Sequence, residues 1–274
     1  MPAVSIIIPT YNRGRFLQTA IDSVMRQSYA DWELIVVDDG STDETSGILK
    51  DYGHRIRSIY QDNQGPACAR NAGVRNATGE LIAFLDTDDR WRKRKLELQR
   101  ALFWENPGCY ITHTEETWYR HGRFLNPLKK HRKQSGDIFW QAVKLCAVSM
   151  STVLLRREVF DRIGYFDETF PVCEDYEFWL RASACYPILL LDKKLTLKEG
   201  GHTDQVSSRF LGQMDSFRIR ALLKLLESGT LSEEQHRLAR EELAHKCTIY
   251  GSGCAKRGRH REAAYYRELA EKYA

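Results

Sequence analysis

Apolar residues in the N-terminal part of the chain come in short solid runs, and each run stops at a polar cluster. "AVSIIIP" at 3–9 is continuous and closed by a proline, which predicts a strand buried on both faces. Beyond the loop "TYNRGR", the pairs Phe16/Leu17, Ala20/Ile21 and Val24/Met25 recur at helical spacing and predict an amphipathic helix over 16–27. "WELIVVDDGS" repeats the strand and its acidic end, and Ser41 and Glu44 have the spacing of a capping box that would open a helix running to about Tyr52. "IRSIYQ" predicts a third strand, "GPACARNAGVRNA" a helix and "ELIAFLD" a fourth strand. Strands and helices that alternate through short loops predict an α/β fold: a mostly parallel sheet covered by helices on both faces.

Past residue 92 the pattern is more mixed. "RKRKLELQRALFW" reads as helix, "CYITHTEETWYR" as strand, and "GDIFWQAVKLCAV" as a helix with Ile138, Phe139, Ala142, Val143 and Cys146 on one stripe. "STVLLRR" predicts a strand leading into a helix over 157–163 that Gly164 closes. "FDETFPVCEDYEFWLRASACY" sets acids ahead of an aromatic-rich helix, and "PILLLD" and "KLTLKEG" predict two closing strands. From about 212 the chain reads as all helix: one segment to Ser228, a second opened by a Ser232/Gln235 capping box, and a third from Arg259 to the end. Tyr265, Leu269 and Tyr273 form a packing stripe on the third.

Composition narrows the class. With 274 residues, 42% hydrophobic and 28% charged, the chain can bury a large core as a globular protein. No apolar run approaches the ~20 residues needed to cross a bilayer, so a soluble, cytoplasmic protein is expected. The seven cysteines include no CxxC pair, which suits reduced thiols and excludes a zinc knuckle. The net charge of +4 is mild, but "RHGRFLNPLKKHRK" at 120–133 carries six Lys or Arg, two His and no acid. The run reads as a solvated loop or as a peripheral surface for an anionic partner at the inner membrane face.

In open α/β sheets ligands bind beyond the carboxyl ends of the strands, and there the polar clusters fall. Thr10, Tyr11 and Asn12 follow the first strand, Asp38 and Asp39 the second, and Asp86, Thr87, Asp88 and Asp89 the fourth. Asp86 and Asp88, two positions apart on extended backbone, point to one side. As hard oxygen ligands they suit Mg2+ or Mn2+, whose shell phosphates and water can complete. Asp89 reads instead as a helix cap or a partner for Arg90, Arg92, Lys93 or Arg94. Of Asp38 and Asp39, only one can readily face a ligand.

The ordered series "SIIIPTYNR", "ELIVVDDGSTDET", "NQGPACARNAG", "LIAFLDTDD" and "CEDYEFWLR" resembles the family 2 glycosyltransferases of the GT-A fold, over about residues 1–205. The resemblance implies a nucleotide-sugar-binding half over 1–105, an acceptor-binding half over 106–211 and a helical extension over 212–274. It implies transfer of a sugar from a UDP- or GDP-linked donor, with inversion, to a glycan, lipid-linked or protein acceptor, with Mn2+ or Mg2+ as cofactor and no nucleic acid as partner. Pro9, Thr10, Tyr11 and Asn12 would surround the base, and Asp38 or Asp39 would meet the base or ribose. Arg70 would support the nucleotide. The "DTD" of 86–88 would be the DXD motif, with Asp86 near the donor sugar and Asp88 on the metal. Asp175 matches the general base, with Glu174 beside it, at a helix start where the dipole favours an anion. His202 in "EGGHTDQVSSR" would be a metal or phosphate ligand and Arg209 a phosphate ligand.

The Gln-x-x-Arg-Trp element of the processive synthases is absent, which favours a single addition. A haloacid dehalogenase reading of "FLDTDD" fails on position, because that motif ends a first strand and is followed by Thr rather than Arg90. A catalytically degenerate nucleotide-sugar-binding or recruitment protein is the non-enzymatic alternative, and the helical tail could serve self-association.

Overall fold

The computed structural model describes residues 1–202 and 204–274. Strands β1 (Val4–Thr10), β2 (Trp32–Asp38), β3 (Arg57–Tyr60) and β4 (Leu81–Phe84) alternate with helices α1 (Gly14–Met25), α2 (Thr45–Tyr52) and α3 (Pro66–Asn76). All of these strands pair in parallel, in the order β3-β2-β1-β4. The solid apolar runs have the expected cause: alternate residues of β1 and β2 feed opposite faces. Ile7, Ile35 and Val37 join one core with Phe84, while Ile6, Ile8, Leu34 and Val36 join the other with Leu17 and Ile21. Each such fully buried side chain contributes about 1.5–3 kcal/mol. Helix α3 lies against β1 so closely that a Cβ on Gly73 would sit 2.4 Å from Ile7 Cγ2.

The second half breaks the parallel pattern. It comprises β5 (Arg90–Trp91), α4 (Lys95–Glu105), β6 (Ile111–Arg120), β7 (Arg123–Leu125), α5 (Phe139–Ala142), β8 (Leu154–Arg156), α6 (Glu158–Ile163), α7 (Glu174–Cys185) and β9 (Ile188–Gly200). Strand β8 joins β4 antiparallel, β6 joins β8 antiparallel, β9 runs parallel to β6, and β5 closes the far edge antiparallel to β9. The sheet is therefore parallel in its N-terminal half and mixed beyond it. The two strands expected over 187–200 are one strand, which accommodates register shifts against β6 around Glu115.

Several local expectations change. Ser41 does not cap α2: its Oγ accepts from the Asn12 amide, and the Asp43 carboxylate takes over. Asp43 Oδ1 accepts from the Thr45 amide at 3.1 Å while Oδ2 accepts from the Gly14 amide at 3.0 Å, so one side chain serves the starts of both α1 and α2. The helix expected over 136–148 shrinks to α5 because Gln141 turns inward and donates to the Arg132 carbonyl. Lys133, in the run read as a solvated loop, is buried, and so is Lys95. Lys95 donates to the Val153 carbonyl over the face of Trp91, and Lys133 pairs with Glu116 at 3.7 Å.

The tail forms α8 (Val206–Arg209), α9 (Met214–Glu227), α10 (Glu233–Lys256) and α11 (His260–Tyr273). The Ser232/Gln235 capping box is formed. Ile219, Leu222, Leu243 and Cys247 share a core with Phe139, Phe170, Tyr176 and Leu180, so the tail packs directly on α5 and α7. On α11 the packing stripe is Tyr266, Leu269 and Tyr273, whereas Tyr265 is exposed. No helix among the described residues is long and apolar enough to cross a membrane, and all seven cysteines are free.

Candidate active site

A cleft of about 820 Å³ opens at the carboxyl edge of β1, β2 and β4 and is walled on the far side by the start of α7, the end of β9 and α8. Its lining includes Pro9, Thr10, Tyr11, Asp39, Arg70, Asp86, Thr87, Asp88, Glu174, Asp175 and Arg209. Positions far apart in the sequence thus share one space.

Arg70 organises the centre. From α3 its buried guanidinium donates to Glu174 Oε1 at 2.6 Å and to Asp86 Oδ1 at 2.9 Å, joining the end of β4 to the start of α7. Burial opposes the guanidinium charge, but Asp86 and Glu174 outweigh it and hold Arg70 firmly protonated. Burial raises the Glu174 carboxyl above its ordinary range, although Arg70 pulls it back. Arg70 is consequently committed to two carboxylates rather than free for a phosphate.

Asp88 Oδ2 lies 3.6 Å from Arg13 Nη1, and burial followed by the charge of Asp86 raises its carboxyl. Asp86 holds Arg70 through one oxygen and Asp88 meets Arg13 only loosely, so each keeps an oxygen free and the pair offers hard donors of the kind that fit Mg2+ or Mn2+. Among the described residues no cluster of three or more His, Cys, Asp or Glu could hold a metal unaided. His202 lines a smaller adjoining cavity with Asp88 and Asp89, its ring packed 4.5 Å from Phe16 and its buried Nε2 without a hydrogen-bond partner. Asp89 is structural, but it serves none of the expected arginines: its Oδ1 accepts from the Glu199 amide at 3.2 Å.

Asp175 sits in the first turn of α7 behind Cys173, a non-glycine residue held at φ 64. Such a left-handed residue is uncommon and clusters at functional sites. Asp175 Oδ1 accepts from the Tyr176 amide at 2.7 Å and Oδ2 from the Cys146 thiol at 3.2 Å. Burial and the charge of Asp175 push the Cys146 thiol well above its usual range, so it stays protonated as the donor.

Other expected site residues have different work. Asn12 and Asp38 lie off the cleft and build the neighbouring loop: Asn12 Oδ1 accepts from the Thr42 amide across two loops, and Asp38 Oδ1 accepts from the Ser41 amide within one turn. Asp39 does line the cleft, but Gln61 Nε2, the Gln64 amide, Asn63 Nδ2 and the Gly65 amide already bind its two oxygens. Thr87 Oγ1 donates to the Pro9 carbonyl and ties β4 to β1.

Three residues of the site escaped the motif reading. Arg13 follows "TYN", Lys198 precedes the Gly-Gly-His loop, and Cys146 lies on the shortened α5 stripe; only their positions beside motifs mark them. Lys198 lines the cleft and donates to Ser149 Oγ at 2.7 Å. Burial would discharge it, but Asp89, Glu116, Asp86 and Asp88 outweigh burial and raise its ammonium.

Behind Lys198 lies a buried polar layer of His113, Glu116, Lys133 and Thr152. His113 Nε2 donates to the Gln134 carbonyl at 2.8 Å, and burial followed by Lys133 lowers its pKa to about 3. The unfolded chain therefore binds a proton below pH 6.5 that the folded chain refuses, so stability falls as pH falls. Wild type is expected to lose about 3 kcal/mol of its stability advantage over His113→Asn between pH 6.5 and 4, at about 1.4 kcal/mol per pH unit. Urea unfolding across that range checks this; parallel losses in both proteins would refute it.

A family model described as glycosyl transferase family 2 matches residues 5–164. The chain belongs to that family. This family 2 glycosyltransferase is 34% identical over 182 residues to the Escherichia coli UDP-Glc:alpha-D-GlcNAc-diphosphoundecaprenol beta-1,3-glucosyltransferase WfgD, covering 65% of this chain and 68% of that one. It spans only 32% of the length of a glycosyltransferase of Rickettsia felis. Its fold matches the crystal structure of residues 1–349 of S. aureus TarS in complex with UDP-GlcNAc, with TM-score 0.67 and 20% identity over 98% of this chain and 91% of that one. It also matches the mannosyltransferase PcManGT of Pyrobaculum calidifontis in complex with GDP-Man and Mn2+, with TM-score 0.63 and 16% identity over 99% and 84% of the two chains.

Proposed function

We propose that this glycosyltransferase moves a sugar from a UDP- or GDP-linked donor to an acceptor hydroxyl with inversion, assisted by Mn2+ or Mg2+, in the construction of a glycan or lipid-linked glycoconjugate. The observation that carries the reading is the meeting of the Asp86/Asp88 pair and the Glu174/Asp175 pair in one cleft, linked through Arg70.

Residues 1–105 hold the donor in this reading and 106–211 present the acceptor, with 212–274 as a helical extension. Pro9, Thr10 and Tyr11 flank the nucleotide; Asp88, with His202 from the adjoining cavity, holds the cation. A cation held there would supply positive charge for the departing diphosphate. Lys198 and Arg13 add fixed positive charge to the cleft, and Arg209 on α8, which also lines it, would meet a phosphate. Asp175 takes the proton of the attacking hydroxyl. Cys146 and the Tyr176 amide fix its orientation, and a thiol, being a weak donor, does so without tying up the oxygen strongly.

A panel of UDP- and GDP-sugars tests the reading by thermal shift and slow donor hydrolysis. One donor is expected to stabilise the protein by about 2.7 kcal/mol at a hundredfold excess over its Kd, and to be hydrolysed, only with Mn2+ or Mg2+ present. Equal donor binding with chelator and with Mn2+ would remove the metal from the reading.

A further inference from the structure

The end of β6 and β7 form a hairpin that turns at His121 and Gly122, both at positive φ, and residues 121–130 are all exposed. Isolated exposed apolar residues are ordinary, but a cluster marks a surface for a partner. Here Phe124 is 54% exposed, Leu125 41% and Leu128 65%. Around them stand Arg120, Arg123, Lys129, Lys130 and Arg132, with no acid anywhere between 120 and 133. Among the described residues none of these five cations forms an ion pair, whereas Lys133 is buried against Glu116 and belongs to the interior. The loop is held to the hairpin by His131, whose ring lies 5.2 Å from that of Trp118.

We infer that this hairpin and the 126–132 loop dock on an anionic lipid bilayer, with Phe124, Leu125 and Leu128 entering the headgroup boundary and the five cations meeting lipid phosphates. Interfacial anchoring combines buried apolar area with attraction to anionic lipid, and the surface supplies both from one segment. Charge complementarity favours a lipid surface over nucleic acid because three large aliphatic or aromatic side chains lie among the cations, and a phosphodiester backbone offers them nothing to enter. The site gains from the placement. His121 and Gly122 line the small cavity that contains Asp88 and His202, and the Gly122 amide donates to Glu199 Oε1 at 2.8 Å. Docking would therefore hold the metal-side rim of the cleft at the membrane surface, where an acceptor anchored in lipid is confined.

Vesicle sedimentation tests the inference without donor or metal, so its outcome is independent of the transferase reading. Full-length protein is expected to bind vesicles of phosphatidylcholine mixed with phosphatidylglycerol, to ignore phosphatidylcholine alone, and to release as salt rises. Lys129→Ala with Lys130→Ala should weaken partitioning about 25-fold, at about fivefold per cation. Phe124→Ser with Leu128→Ser should weaken it at least tenfold with charge intact. Both double variants should keep the wild-type melting temperature and donor hydrolysis in solution, because the altered side chains are exposed. Equal binding to neutral and anionic vesicles, or undiminished binding by Phe124→Ser/Leu128→Ser, overturns the inference. Binding to single-stranded DNA but to neither vesicle overturns it in favour of a nucleic-acid surface.

Discussion

Asp175→Asn is expected to bind donor as wild type does and to turn over about 10²- to 10⁴-fold more slowly, the usual loss when a general base is removed. The substitution preserves shape but not acceptor capacity. In wild type both carboxylate oxygens receive a donor, the Tyr176 amide on one side and the Cys146 thiol on the other. An amide presents one oxygen and one NH2, so whichever way Asn turns, one of those donors faces a donor and no anion remains to take the hydroxyl proton. Because Asp175 lies on the opposite wall from Pro9, Thr10 and Tyr11, nucleotide affinity should be unchanged. Thermal shift with donor gives the binding, and initial rates separate kcat from KM. Turnover within a few-fold of wild type would transfer the base to another group.

Arg70→Met should cost stability as well as activity. Removing one partner of a buried ion pair typically costs about 3–5 kcal/mol because a charge is left uncompensated. Here two are left, Asp86 and Glu174. The pH dependence has a definite sign. Burial already raises the Glu174 carboxyl above its ordinary 4.5, and loss of Arg70 raises it further. A group that binds its proton more readily when folded is penalised as pH rises through its folded pKa and relieved as pH falls. The stability deficit of Arg70→Met relative to wild type should thus be greatest near neutrality and shrink towards pH 4.5. Urea denaturation at both ends of that range measures it; a deficit that grows on acidification would show that Glu174 is not the stranded charge. Arg70→Lys should recover only part of the stability, since one ammonium lacks the planar fork that spans both acids.

Much of the N-terminal half was legible because its signal is local. The continuous apolar runs of β1, β2 and β4 can only be strands buried on both faces, and the residues at their ends land on the cleft edge by topology alone. What was not legible depends on distant partners. Nothing near Lys198 in sequence distinguishes it from the neighbouring Lys193 and Lys194, which are exposed; Lys198 is half-buried on the cleft wall, where its partner Ser149 comes from a distant part of the chain. The ion pair of Arg70 with Glu174 was not legible because the two lie 104 residues apart. The Ser41/Glu44 spacing promised a capping box, but Asp43, two residues nearer to α2 and ionised, accepts from the Thr45 and Gly14 amides instead. Helix α5 fell short of its periodic stripe because Gln141 found a backbone partner in the loop at Arg132.

Asp39 comes to the cleft wall with four hydrogen bonds already received from residues 61–65. It behaves as a mould rather than as a reader. An incoming nucleobase would meet the loop that Asp39 has cast, not a carboxylate waiting for a donor. If the cleft takes a nucleotide as proposed, base preference would follow the shape of Asn63, Gln64 and Gly65, which line the cleft with Asp39, and exchanging that short segment between relatives would move it while Asp39 itself stayed in place.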